Sequence, residues 1–362
     1  MNRITKINVA ILVITLFFPS CIKRSFEKER LDNYFDYLES ADKFMGNAVI
    51  SKNGIIIYSY SVGFSNIESK IETSSYSEYL TGSVSNIFTS VLIFKAVELG
   101  LINIEQTIHS FFPNIPNSEI ITIANLMYHQ SGLHDLFNSV DFFSWNTKPQ
   151  TKEEMLNRIV KAGVDFYPGE ISQYSNSNYI LLTLILEEIF NAPYSKILKE
   201  YIKKPCDINN TYYYGKNDLK KYFCTSYLYV DSWEVALLTD TSIPHGACGI
   251  ISTPLDLIKF SNALFKGELI NSENLERIMT IKGDFGMGLI PIEFKGNIGF
   301  EHIGNIDGFS SMMFHFSNQN VSIALCSNAI NHNINDIIHT MLLAAYKKPF
   351  DVSNNSLITL AP

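Results

Sequence analysis

The chain has 362 residues, long enough to bury a large core, and its 46% hydrophobic and 18% charged content is that of a folded globular protein. A formal charge of −8 with no basic stripe removes nucleic acid from the expected partners.

The N-terminus carries the localisation signal. Arg3 and Lys6 precede an apolar run from Val9 to Phe18 that is too short to span a bilayer comfortably. Phe18-Pro19-Ser20-Cys21 then sets a small residue directly before a cysteine, which resembles a bacterial lipoprotein cleavage box with Cys21 as the lipidated residue. Residues 1–21 are thus expected to be a signal segment, and the protein to sit in the cell envelope on an N-terminal lipid anchor. Ordinary signal cleavage nearby and a buried N-terminal helix are the alternatives. Losing Arg3 and Lys6 takes the formal charge from −8 to −10.

Residues 22–30 read as a charged tether, and 31–44 have helical apolar spacing. The stretch 47–58 reads as a β-hairpin turning at Asn53-Gly54. After Gly82 the period changes: Ile87, Phe88, Val91, Leu92, Phe94 and Leu99 populate more than one helical face, so a buried helix is expected, closed by Gly100. Thr151 with Glu154 forms a capping-box signature, 178–190 is another apolar helix, and Thr253-Pro254 opens a third that Gly267 closes. Short β-type runs return at 286–291, 310–316 and 321–326, and a last helix spans 334–346. Strands at both ends around a helical middle predict an α/β (α+β) domain over 31–348, with a mainly helical insertion at about 105–250. The tail 349–362 gives no functional signal.

Cys206, Cys224, Cys248 and Cys326 remain after Cys21, and an oxidising envelope permits a disulfide, Cys206 and Cys224 being closest in sequence. Cys326 reads as a small hydrophobe in a buried strand. No CxxC or HExxH spacing appears, and no metal site is expected.

Three short motifs have chemical potential, though each alone has an ordinary structural explanation. Ser83 opens the buried helix, where a serine is usually an N-cap. Tyr174-Ser175-Asn176 precedes the next apolar helix, where a phenol and an amide can pass a proton and hold a carbonyl, or simply start a helix. His302-Ile303-Gly304 lies on an edge-like strand, where Gly304 lets a substrate backbone approach and His302 supplies a positive or hydrogen-bonding group; a strand histidine bonded to its neighbour is the plain reading.

In this order the three motifs resemble those of the penicillin-recognising serine hydrolases, in the class C β-lactamase, D-alanyl-D-alanine carboxypeptidase and esterase branch. His129-Gln130-Ser131-Gly132-Leu133 and Gly246-Ala247-Cys248-Gly249 through Asp256 resemble further landmarks, and the resemblance spans about 31–346. It implies the β-lactamase/transpeptidase-like fold, an antiparallel sheet flanked by helices. It implies Ser83 as nucleophile, Tyr174 sharing proton transfer, and Asn176, His302, Gly304 and Asn305 binding substrate. The backbone N–H groups of Ser83 and Asn305 would form the oxyanion hole. The expected ligand is a small peptide, an ester or a β-lactam-like compound, with no metal or organic cofactor. Nothing in the sequence fixes the oligomeric state.

One departure stands out. Asn86 lies where the resemblance implies the lysine of a Ser-x-x-Lys motif, and an amide neither takes a proton at neutral pH nor brings charge. Literal Ser-x-x-Lys runs fall at 20–23, 25–28 and 40–43, and none of them opens the buried apolar helix. Three explanations compete: an enzyme rewired to use Tyr174 and His302, a pseudoenzyme that binds a peptide, muropeptide or acyl ligand without turnover, or a recent or artefactual single-codon change.

Overall fold

The computed structural model describes residues 20–215 and 220–352, with side chains from residue 28 onward. The signal-segment run at 9–18, the side chain of Cys21 and tail residues 353–362 lie outside the described residues. No described helix is long and apolar enough to cross a membrane.

Helix α1 (Ser20–Ser40) begins inside the stretch expected to be a tether, so residues 22–30 are its first turns; Leu31, Phe35 and Leu38 bury its later face. Strands β1 (Phe44–Lys52) and β2 (Ile55–Val62) form the expected hairpin. Asn53 at φ 54° and Gly54 at φ 76° supply the two left-handed residues that a type I′ turn needs. Helices α2 (Ser85–Glu98) and α3 (Asn176–Phe190) are buried along most of their length, as apolar residues on several faces require. Helix α4 (Pro254–Phe265) starts as expected, with the Thr253 hydroxyl accepting from the Asp256 amide and Pro at the first helical position.

Strands β3 (Ile290–Phe294), β4 (Asn297–Ile306), β5 (Phe309–Phe316) and β6 (Val321–Ile330) follow, and helix α5 (Ile334–Ala345) ends the fold. The strand expected at 286–291 begins only at Ile290. Gly288, at φ 80°, turns the preceding segment so close to α2 that a Cβ there would stand 2.9 Å from the Asn86 carbonyl oxygen. The expected helical middle also contains short strands, at Tyr212–Tyr213, Tyr227–Tyr229 and Trp233–Val235.

The six long strands form one antiparallel sheet in the order β3-β4-β5-β6-β1-β2, so the late strands join the early hairpin through the β6–β1 pairing, as expected. One sheet face packs on α1 and α5 through Phe35, Phe314, Leu325 and Met341. The other faces α2, α3 and α4, where Phe88 and Phe260 stack with centroids 3.8 Å apart. All four described cysteines beyond Cys21 are free thiols, so the Cys206–Cys224 disulfide is not formed.

Glu301 on β4 lies mostly out of water without a partner charge, and burial raises its carboxyl from 4.5 to about 7. The folded state therefore binds this proton more tightly than the unfolded chain, and the group costs stability as pH rises through that interval. Urea unfolding should show Glu301→Gln removing about 2 kcal/mol of the stability lost between pH 4.5 and 7, and an unchanged pH profile would contradict this assignment.

Candidate active site

Ser83 is held in a tight turn. Gly82–Val84 form one turn of 3₁₀ helix directly before α2, and Ser83 caps nothing with its side chain. The turn is pinned on both sides. The Thr81 hydroxyl donates to the Ile250 carbonyl at 2.9 Å, and the Ser311 hydroxyl donates to the Thr81 carbonyl at 2.5 Å. The backbone at Gly304 lies against it: a Cβ on Gly304 would meet the Thr81 carbonyl oxygen at 2.1 Å and the Ser83 nitrogen at 2.6 Å. Gly304 was expected to admit a substrate backbone, but the backbone it admits is the chain's own turn. Asn305 remains exposed beside Gly82, its side-chain oxygen accepting from the Ser310 hydroxyl at 2.6 Å.

The edge-like reading of the third motif holds locally. β3 pairs with β4 only as far as Glu301, so from His302 onward that side of β4 has no partner strand among the described residues.

The three motifs converge. The Asn86 amide nitrogen donates to the Tyr174 phenol oxygen at 2.9 Å and lies 3.4 Å from His302 Nε2. His302 Nδ1 sits 3.0 Å from the Ile303 carbonyl, which fixes the proton on Nδ1 and leaves Nε2 a lone pair that accepts from Asn86. The Tyr174 hydroxyl donates onward to the Asn176 side-chain oxygen at 3.4 Å. Asn176 Nδ2 then donates to both oxygens of Asp135, at 3.2 and 3.1 Å. Hydrogen bonds thus run in one direction from Asn86 through Tyr174 and Asn176 to Asp135.

Burial sets the electrostatics. His302 is held down at about 4 by burial, so it is neutral at pH 7 and, of the two roles expected of it, keeps the hydrogen-bonding one. Burial also holds the Tyr174 phenol well above its ordinary value, against smaller opposing hydrogen bonds from Ser83 and Asn86. Among the described residues no lysine or arginine hydrogen-bonds to either side chain. The Asn86 oxygen is buried without a partner among the described residues. Asn86 thus keeps a donor aimed at Tyr174 and supplies no charge.

Sequence reasoning missed three supporting groups. Asp135 accepts from the backbone amides of Asn176 and Phe137, each at 3.1 Å, as well as from the Asn176 side chain. Two residues past Leu133 in a loop, it carried no spacing signal. His129 stacks on Tyr174 with centroids 4.4 Å apart, and its Nδ1 accepts from the Ser175 amide; burial lowers it to about 3. Cys248, expected as one of the four cysteines and as part of a landmark segment but not as a site residue, places Sγ 3.8 Å from Ser83 Oγ and 3.4 Å from the Asn176 oxygen. Burial raises this thiol to about 12, which makes it a packing group and a weak donor at neutral pH, not a thiolate. Among the described residues no cluster of three or more His, Cys, Asp or Glu forms a possible metal site.

Asp135→Ala leaves the amides of Asn176 and Phe137 without their acceptor. It should cost about 3 kcal/mol in urea unfolding, with Asp135→Asn losing less, because buried donors stripped of a charged acceptor carry the full desolvation penalty. Equal stability of the wild type and Asp135→Ala would refute the supporting role.

The Beta-lactamase family model matches residues 38–344. The chain is 24% identical over 329 residues to the putative penicillin-binding protein PbpX of Bacillus subtilis (strain 168), covering 89% of this chain and 80% of that protein. It is also 24% identical over 314 residues to the teichoic acid D-alanine hydrolase of Staphylococcus aureus, covering 83% and 76%. Among solved structures, the D-amino acid amidase from Ochrobactrum anthropi SV3 complexed with L-phenylalanine amide superposes with a TM-score of 0.80 at 20% identity, covering 89% of this chain and 99% of that one. The penicillin binding protein from Bacillus halodurans gives 0.77 at 21%, covering 85% and 98%. These structural likenesses establish the β-lactamase/transpeptidase-like fold.

Proposed function

The chain belongs to the β-lactamase family, and from that premise we propose that it is a serine acyl-transfer hydrolase of low turnover. Ser83 is the nucleophile and Tyr174 the proton-transfer partner. Asn176, His302 and Asn305 hold a small peptide, ester or β-lactam-like substrate, Gly304 seats the turn that carries Ser83, and the Ser83 and Asn305 amides stabilise the oxyanion. The observation that carries this reading is one chain of polar contacts that joins Ser83 through Cys248 to Asn176 and Tyr174, and through Asn86 to His302. A relative named for hydrolysing D-alanine from teichoic acid, and a fold neighbour named for amidase action on D-amino acids, favour a D-amino-acyl ester or amide within that class.

The same network lacks a cation, and this favours a second reading in which the cleft binds its ligand and does not turn it over. Nothing in it takes the Ser83 proton readily: the phenol of Tyr174 stays protonated, and the His302 lone pair is engaged by Asn86. Removing one member of such a cooperating set costs about 10⁴-fold or more in rate. In our reading the lysine implied at position 86 is that missing member.

Location in the cell envelope through a lipid on Cys21 belongs to the same proposal and rests on the pattern of residues 1–21. Product release from a D-alanyl ester, a D-amino acid amide and a penicillin, each followed chromatographically, tests the activity. Slow release that vanishes in Ser83→Ala supports the hydrolase. Saturable binding with no release establishes the binding reading, and release that survives Ser83→Ala refutes the assignment of the nucleophile.

A further inference from the structure

Far along the sheet from Ser83, the outer edge of β2, α1 and the end of α5 enclose a groove of about 470 Å³, the size of a small-ligand site. Its floor is apolar: Leu31, Ile50 and Tyr58 are nearly inaccessible. Its walls are apolar as well, and they are exposed. A register shift in the β1–β2 pairing leaves Ile57 without a partner, so strict alternation fails and Ile55, Ile57 and Tyr58 all line the groove. Ile55 is 67% exposed and Ile57 36%, on a strand whose outer side pairs with no strand among the described residues. Soluble proteins usually blunt such an edge with charge or cover it.

Among the described residues the charged groups lining the groove are Lys28, Lys52 and Lys347, with the Asp32 carboxylate beside Tyr58 and Lys28. Lys28 is neutralised by Asp32 at 2.6 Å, but Lys52 and Lys347 form no ion pair among the described residues. In a chain of net charge −8 this is a local reversal of sign. An apolar trough between uncompensated lysines matches a ligand with an alkyl chain and an anionic head.

We propose that this groove binds an anionic phospholipid, its acyl chain lying over Leu31, Ile50, Ile55, Ile57 and Tyr58 and its phosphate between Lys52 and Lys347. The site is separate from the Ser83 cleft and needs no catalysis there. It seats the domain on a lipid surface with β2 and the end of α5 downward, independently of any covalent anchor.

The test is calorimetric titration of the full chain with dioctanoyl phosphatidylglycerol below its micelle concentration, against dioctanoyl phosphatidylcholine. One saturable site is expected for the anionic lipid. Lys52→Gln with Lys347→Gln should weaken it by about thirtyfold, since each lysine near an anionic lipid contributes about fivefold. Ala344→Trp, which fills the groove, should abolish binding, and Ile55→Asp at an already exposed position should do the same without disturbing the core. Thermal unfolding checks each variant. Absence of a saturable site, equal binding of the two lipids, or binding indifferent to both Ala344→Trp and Ile55→Asp would overturn the proposal.

Discussion

Asn86→Lys is expected to raise the rate of Ser83-dependent ester turnover by about 10⁴-fold, roughly 5–6 kcal/mol of barrier. The reason lies in what surrounds position 86. Its side chain already donates to Tyr174 and faces the lone pair of His302, so a lysine ammonium there finds two acceptors in place. A positive charge beside the phenol would pull the Tyr174 proton affinity down from its burial-raised value, and the amine form would be a base one helical turn from Ser83. Asn86→Met, which lengthens the side chain without charge, separates charge from volume and should give no gain. A chromogenic ester assay reads both variants. Equal rates for wild type and Asn86→Lys would mean that the defect lies elsewhere in the site.

Gly304→Ala should abolish that gain in the Asn86→Lys background. The added methyl would stand 2.1 Å from one backbone atom and 2.6 Å from another, both in the turn that carries Ser83. Neither is the end of a flexible side chain, so β4 and the turn must part. Overpacking of this kind costs about 1–3 kcal/mol of stability. A shift of 1 Å between nucleophile and oxyanion donors costs about 100-fold in rate. Thermal unfolding and the same ester assay measure the two effects together. Full activity in the double variant would show that the contact between Gly304 and the Ser83 turn does not position the chemistry.

The fold was legible because its signals are local. Asn53-Gly54 specifies the hairpin turn, Thr253-Pro254 starts α4, and the apolar residues of α2 and α3 announce burial before any tertiary contact is considered. The order of the three motifs gave the residues that converge. What stayed hidden depends on long-range packing. No periodicity says that Asp135 will meet Asn176 across forty-one residues, or that Cys248 will come to rest between Ser83 and Asn176. The choice between a positive and a hydrogen-bonding His302 stayed open for the same reason, since its neutrality follows from burial, which outweighs the Ile303 carbonyl and is not visible in His-Ile-Gly. Gly304 was identified as a close-approach position, but only the packed turn shows what approaches it.

The central claim is that the acyl-transfer geometry is intact and that the missing charge at position 86 alone holds it back. Intact-mass measurement of covalent labelling by a fluorophosphonate, following the natural protein, Asn86→Lys and Asn86→Lys with Ser83→Ala over the same time course, tests it most directly. The account predicts slow or absent labelling of the natural protein, rapid single labelling of Asn86→Lys, and none once Ser83 is removed. Labelling of Asn86→Lys no faster than that of the natural protein, or labelling that persists without Ser83, would contradict it.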